Sequence, residues 1–511
     1  MLHRLLKDLP ADANVLYVWQ KQFDLDEGEM FIVDLWPVYT PQLLIWDADA
    51  SNQVSTKLNL SKSVDRHADF APVVGGSSMI SMSDAEWKPL RALFNPGFSA
   101  GHMAELVPAV IDSVQVFCEL LYDQVDKGYF SFDELTTRLT MDIITKVTLD
   151  TNLDNLRNEH YFSKALNTVL AWHSFWDPRI LLHPLRPLVQ WYEGRILDQF
   201  LRAELEERYS ELRTADRSSR KKQGRRAKSV IALALEDYSK QQRGNEHDKA
   251  LPEKLGEDFI RMAASQIRLF IFAGSDTTSS TITYAFHMLH HHPAALLDLR
   301  KEHDDVFGCK DAVEQLKDNS ALLNRCAYTL AVVKETLRLY PPAGTVRAGR
   351  AGATVSDRNG NTCLVENIGA LIAHRYVHRH PRLWVCPDEF LPERWLVDPE
   401  HRLYPPVNAG AYRPFEQGPR NCIGQTLVLN EIPIVLIMTA RTFEIAPAYD
   451  EWDAEQRARE RWWTKGMRKV GLKNDEIKLV MGERAYQTSR AGSHPADGYP
   501  CRVALVDGQR H

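Results

Sequence analysis

Residues 415–424 read Phe-Glu-Gln-Gly-Pro-Arg-Asn-Cys-Ile-Gly, placing Cys422 between the glycines at 418 and 424. Glycines on both sides let a backbone fold tightly and approach something flat and large. Behind the cysteine, Leu427, Leu429, Ile434 and Leu436 recur at helical spacing. A helix is therefore predicted from near Ile423, with Cys422 at its N-terminus, where the dipole and free amides stabilise a thiolate. Arg420, two residues earlier, adds positive charge. A buried free thiol is the ordinary fate of an intracellular cysteine, but the Gly-x-Arg-x-Cys-x-Gly spacing favours a ligand. Pro433 falls inside the predicted helix. Its ring opposes the carbonyl of Leu429 at a cost of about 3 kcal/mol, so a kink or early break is expected there.

Working outward, Asp258 to His292 is apolar on most faces and is stopped by Pro293. At 1.5 Å per residue this helix would be about 50 Å long, suited to the middle of a large domain. A second helix is expected from Ser320 to the Pro341-Pro342 pair, carrying Leu322, Cys326, Leu330, Val333 and Leu337. Met30–Trp36 and Gln42–Trp46 flank a proline-containing turn and read as a hairpin, and short strands are expected around Asn359-Gly360. The pattern is mainly helical with a small sheet near the N-terminus, read as one domain over residues 1–511. The basic run Arg217–Lys228 suits a solvated linker. Residues 488–511, rich in Ser, Gly, Pro and Asp, suggest a loose tail. His287 and His290–His292 cluster at a helix end, where solvated cationic side chains suit the dipole better than a metal site does.

The balance of 62 basic against 68 acidic residues gives −6 over 511 residues, which argues against nucleic-acid binding. The 44% apolar and 25% charged fractions exclude a disordered or fibrous chain. Seven scattered cysteines without a CxxC pair fit a reducing compartment and no structural zinc. No secretory signal and no apolar run long enough to span a bilayer is present.

The cysteine segment resembles the haem-ligand loop of the cytochrome P-450 superfamily, and further marks follow in family order. Glu335-Thr-Leu-Arg338 resembles the ExxR pair, and Phe390-Leu-Pro-Glu-Arg394-Trp395 resembles the PERF segment with Trp395 in place of the usual Phe. Ala273-Gly-Ser-Asp276-Thr277-Thr278 resembles the oxygen-activation segment, and Trp87-Lys-Pro-Leu-Arg91 the WxxxR signature. The resemblance implies a mainly α fold with a small β subdomain, a long central helix over a haem, and haem b as cofactor. It implies Cys422 as the iron ligand, with Phe415 and Gly424 of the same loop as further haem-binding residues. Trp87, Arg91, Arg347 and Arg420 are the implied partners of the haem propionates, since Arg suits carboxylate geometry. A thiolate ligand pushes electron density onto the iron and favours O–O cleavage. Asp276 and Thr277 suit controlled proton delivery, and Gly274 is expected to loosen the same turn by about 1 kcal/mol.

The implied activity is insertion of one oxygen atom from O2 into an apolar organic substrate, with electrons from a separate NADPH-cytochrome P-450 reductase. No G-x-G-x-x-G follows a strand, so no dinucleotide-binding domain is evident. The wording of Phe94–Ser99 and Pro414–Gly424 is similar to filamentous-fungal members that tailor secondary metabolites, of polyketide or terpenoid type. The membrane helix and proline-rich hinge that open microsomal members are absent, so a cytoplasmic protein, or one held peripherally at the endoplasmic-reticulum surface, is expected. A basic docking face for the reductase is expected at Arg402, Arg413 and Arg420. The rival readings are a haem-thiolate isomerase or dehydratase, against which Asp276-Thr277 argues, and a haem carrier without turnover.

Overall fold

The computed structural model describes residues 9–10, 12–17, 29–34, 40–62, 66–174, 178–217, 228–243, 251–308, 311–459 and 478–506. Glu257–His291 forms one uninterrupted helix, ended where His292 leaves helical geometry before Pro293. Most of its length is buried, as its near-continuous apolar surface requires. Against it lies the helix Phe132–Leu149, which is also mostly buried. Their polar groups interlock: Thr140 Oγ1 donates to the Ser275 carbonyl at 2.9 Å, and Thr136 and Thr283 share a hydroxyl contact at 3.1 Å. Gly274 serves this packing, since a Cβ there would stand 2.8 Å from Ile144 Cγ1. The helix does not break at Gly274, contrary to the loosened turn expected there.

The second expected helix starts later than its periodicity suggests. Ser320–Arg325 is a 3-10 turn, and the α-helix proper is Ala327–Leu339. Gln425–Thr439 is helical straight through Pro433, which corrects the expected break. Pro433 and its neighbours Ile432 and Ile434 are buried, so packing outweighs the intrinsic cost.

Met30–Val33 pairs antiparallel with Gln42–Ile45 as the hairpin reading requires, although its turn lies partly outside the described residues. Gln42–Ile45 then pairs in parallel with Gly369–Ile372, which is flanked on its other side by Thr345–Ala348. Thr354–Ser356 and Thr362–Leu364 form the hairpin expected around Asn359-Gly360. A separate three-stranded sheet places Pro500–Leu505 between Phe130–Ser131 and Phe443–Pro447. The segment from Thr488 is therefore not a loose tail over its described length. Thr488, His494, Tyr499 and Cys501 are buried, because backbone pairing and burial outweigh its loop-like composition. Most of the basic run after Arg217 lies outside the described residues.

The histidine cluster also differs from expectation at its first member. His287 is buried against Tyr499, with Nδ1 3.3 Å from the phenol oxygen. Burial and the neighbouring histidines push its pKa down to about 3, so it is neutral rather than a solvated cation. Among the described residues no cluster of metal-ligating side chains occurs.

Candidate haem-binding and proton-transfer site

Cys422 stands three residues before Gln425, the first residue of the buried helix, with Gly424 as the cap. Its own amide donates to the Phe415 carbonyl at 2.8 Å, which closes the loop on itself. Gly418 has φ +79°, and a Cβ there would stand 2.3 Å from the Ser55 carbonyl, so only glycine fits that turn. Cys422 is exposed by surface area, yet the protein packed around its sulfur desolvates it and pushes the thiol up, while the amides of Gly424 and Gln425, with the charge of Arg91, pull it partly back. The helix-start amides expected from the sequence act here, but the charge is that of Arg91 and not of Arg420, and desolvation outweighs both. A metal ion at the sulfur reverses that balance, since a coordinating thiol is deprotonated outright.

Arg91 reaches this loop directly. Its NH1 donates to the Asn421 carbonyl at 2.8 Å, its NH2 to Asn421 Oδ1 at 3.1 Å, and its Nε to Asn95 Oδ1 at 2.7 Å. Trp87, buried one turn earlier on Asp84–Phe94, lies beneath the Arg420 guanidinium, 4.6 Å from ring centroid to cation. Arg420 also pairs with Asp84 and donates to the Met82 carbonyl. Two buried cations keep unpartnered donors: Arg420 at NH1, and Arg347 at Nε and NH2. Burial holds Arg347 down to about 10. A dianionic prosthetic group beside the cysteine loop answers these orphaned donors, so the residues present fit a haem with its two propionates.

The loop is braced from behind. Glu335 and Arg338 are fully buried and paired through Nε–Oε2 at 3.0 Å and NH2–Oε1 at 2.8 Å. Arg394 Nε and the Leu391 amide add bonds to Oε1, and Trp395 Nε1 donates to Oε2 at 3.0 Å. Trp395 thus supplies a hydrogen bond that the usual Phe could not make. Arg338 NH1 donates to the His378 carbonyl, and His378 Nε2 accepts the Arg413 amide at 2.9 Å. Arg413 in turn grips Glu416 at 2.6 Å, three residues after itself and six before the cysteine. Burial would raise the pKa of Glu416, but His374 and Arg413 hold it well below the usual carboxylate range. Sequence reasoning missed His374, His378, Arg413 and Glu416 as parts of this brace. Arg413 and Arg420 are buried, which removes them from any docking face and leaves Arg402 exposed.

On the central helix, Thr277 Oγ1 donates to the Ala273 carbonyl at 2.8 Å, the back-bond expected of a helical threonine. The Asp276 side chain turns elsewhere. Its Oδ1 lies 3.0 Å from His494 Nε2, and its buried Oδ2 has no hydrogen-bond partner. His494 Nδ1 lies 2.7 Å from Asp133 Oδ1. His494 was invisible in the sequence, because it falls in a segment whose composition suggests a loop.

A long buried helix bearing an acid and a threonine, with a cysteine loop at a second helix start and a locked Glu–Arg brace behind it, defines a haem-thiolate fold. The cytochrome P450 family model matches residues 19–463. The chain is 37% identical to cytochrome P450 monooxygenase polC of Polytolypa hystricis, covering 98% of this chain and 86% of that one. It is 31% identical to cytochrome P450 monooxygenase acrF of Aspergillus aculeatus, over 97% and 98% of the two chains. The solved cytochrome P450DA heme domain superposes with a TM-score of 0.70 at 19% identity, over 99% of this chain and 95% of that one, which shows the fold. The chain belongs to the cytochrome P450 family. It is a haem enzyme, an oxidoreductase that incorporates oxygen from O2.

Proposed function

We propose that this protein inserts one oxygen atom from O2 into an apolar organic substrate, a fungal secondary metabolite of polyketide or terpenoid type, using electrons from a separate NADPH-cytochrome P450 reductase. The similarity to the Polytolypa and Aspergillus monooxygenases supports the fungal setting. The observation that carries the reading is Cys422, capped by the amides of Gly424 and Gln425 at a helix start, beside cations with unspent donors. Cys422 ligates the iron; Arg347 and Arg420 hold the propionates; Trp87 orients Arg420; Arg91 fixes the loop through Asn421; Phe415 and Gly424 shape it. Haem held by a thiolate supplies the iron at which O2 is reduced and split.

The remaining work belongs to the chain. Asp276 holds and passes on a proton, and the Thr277 hydroxyl, oriented by its bond to Ala273, presents its oxygen as acceptor and donor in turn. Cys422→Ser should abolish the red-shifted ferrous–CO band, while replacement of Cys118 or Cys386 should leave it. A surviving band in Cys422→Ser would falsify the ligand assignment.

Among the described residues no helix is long and apolar enough to cross a membrane. Peripheral contact is supported by Leu182, Leu185, Leu188, Trp191 and Tyr192, which are all more than half exposed on one short stretch. Leu182→Ser with Trp191→Ser should move the protein from vesicle-bound to free fractions in flotation. Unchanged flotation would place the contact elsewhere.

A further inference from the structure

Three buried side chains far apart in the chain meet around one imidazole. Asp133 begins the helix Phe132–Leu149, Asp276 lies in the middle of the central helix, and His494 lies in the loop before Pro500–Leu505. His494 is 1% exposed, Asp133 3% and Asp276 7%. The ring nitrogens reach Asp133 Oδ1 at 2.7 Å and Asp276 Oδ1 at 3.0 Å. A carboxylate on each side fixes both nitrogens as donors, so the ring is an imidazolium bridging two acids.

The loop is shaped for this contact. Gly492 has φ +66°, and a Cβ there would meet Asp276 Oδ2 at 2.6 Å and the Asp276 carbonyl at 2.7 Å. Only glycine lets the loop sit this close to the acid. Ser280 Oγ, one turn along the central helix, reaches the Ser493 carbonyl at 3.4 Å and tethers the same loop. Arg490, largely exposed, stands 3.9 Å from Asp133 Oδ2 and is, among the described residues, the other charged group within ion-pair reach of the cluster.

We infer that His494 is a positioning residue for the proton step, holding Asp276 in one rotamer through a bridge anchored on Asp133. The inference rests on the proton role proposed for Asp276. Without His494, Asp276 loses the partner that holds its Oδ1 and should swing away from its present rotamer. Asp133 acts one step further back, as the anchor that keeps the ring aimed.

The test compares His494→Gln, Asp133→Asn and Asp276→Asn in the full-length holoenzyme, with the reductase as electron donor. His494→Gln keeps a donor for Asp276 and the side-chain bulk but removes the charge. It should retain the ferrous–CO band and substrate affinity within about twofold. The fraction of NADPH converted to product should fall severalfold, and the loss of coupling that deprotonation of the His494 ring causes in the wild type as the pH rises toward 10 should be missing from its pH profile. Asp133→Asn should bring that loss on at lower pH. A readout independent of turnover is the imidazole signal of selectively 15N-histidine-labelled protein in its carbonmonoxy form. The His494 ring should remain doubly protonated at pH 8 in the wild type and lose that state in Asp276→Asn.

Coupling lost in His494→Gln without any movement of the profile assigns the residue a packing role only and overturns the inference. Full coupling in His494→Gln beside an uncoupled Asp276→Asn also overturns it, while leaving Asp276 in the mechanism. Full coupling in Asp276→Asn removes the proposed role of Asp276 and that of His494 with it. A neutral wild-type ring at pH 8 shows that the bridge is absent. If His494→Gln fails to take up haem, Gly492→Ala, which presses on Asp276 from the same loop, carries the pH-profile test.

Discussion

Two buried carboxylates anchor this molecule, and they are treated differently. Glu335 has both oxygens fully used, by Arg338, Arg394, Trp395 and the Leu391 amide. Asp276 has one oxygen held by His494 and the other bound to nothing. The Glu335 arrangement leaves no lone pair to spare, as befits a group whose work is to hold the cysteine loop in place. The Asp276 arrangement keeps one oxygen in reserve, which the proton role proposed for it would draw on.

The sharpest way to break the contrast is to truncate the saturated group. Glu335→Ala strands two buried guanidiniums and should cost roughly 3–5 kcal/mol, with purified protein retaining little haem by absorbance. Normal haem content would make the brace dispensable. Next in size is Thr277→Ala, which should preserve haem and substrate binding but divert most reducing equivalents to hydrogen peroxide or water. Unchanged coupling of NADPH consumption to product removes Thr277 from the reserve side of the contrast.

A smaller effect concerns pH. Burial alone would push the His494 imidazole down, but Asp133 and Asp276 outweigh it and raise it to about 10. Its folded pKa thus lies above the ordinary value of about 6.5. Its contribution is complete below about pH 6.5 and is lost as the pH rises toward 10. The melting temperature of the wild type should therefore fall more between pH 7 and 10 than that of His494→Gln. Parallel curves would mean that the bridge contributes no linkage. The smallest expected change is Gly274→Ala. The better helix propensity of alanine, about 1 kcal/mol, is opposed by the crowding of Ile144, so net destabilisation by about 1 kcal/mol is expected from denaturant titration. A clear gain in stability would show that the two helices have slack between them.

How much of this was legible in the sequence follows the same division. The brace is written in short spacings: Glu335 and Arg338 are one helical turn apart, and Arg394 and Trp395 are adjacent. The central helix and the N-terminal hairpin were equally readable, because periodicity is a local property. His494 was not readable, since its partners lie 361 and 218 residues away and its neighbours look like loop. Arg413 was misplaced on the surface for a related reason. A cation near a functional loop reads as a docking charge until His378, 35 residues earlier, and Glu416 are seen to bury it. Pro433 failed differently: a local rule was correct about cost, and burial of its neighbours overrode it.

The strand Pro500–Leu505 also fixes an order of events in time. It is the middle member of its sheet, so Phe130–Ser131 and Phe443–Pro447 have no partner until it arrives. A ribosome releases residues in sequence, and both acids that flank His494 emerge long before it does. Throughout most of synthesis Asp133 and Asp276 must therefore stay hydrated or unpaired, and closing so long a loop is slow. A nascent chain stalled just before residue 488 would carry every signature motif of the family and still lack the imidazole that bridges Asp133 and Asp276.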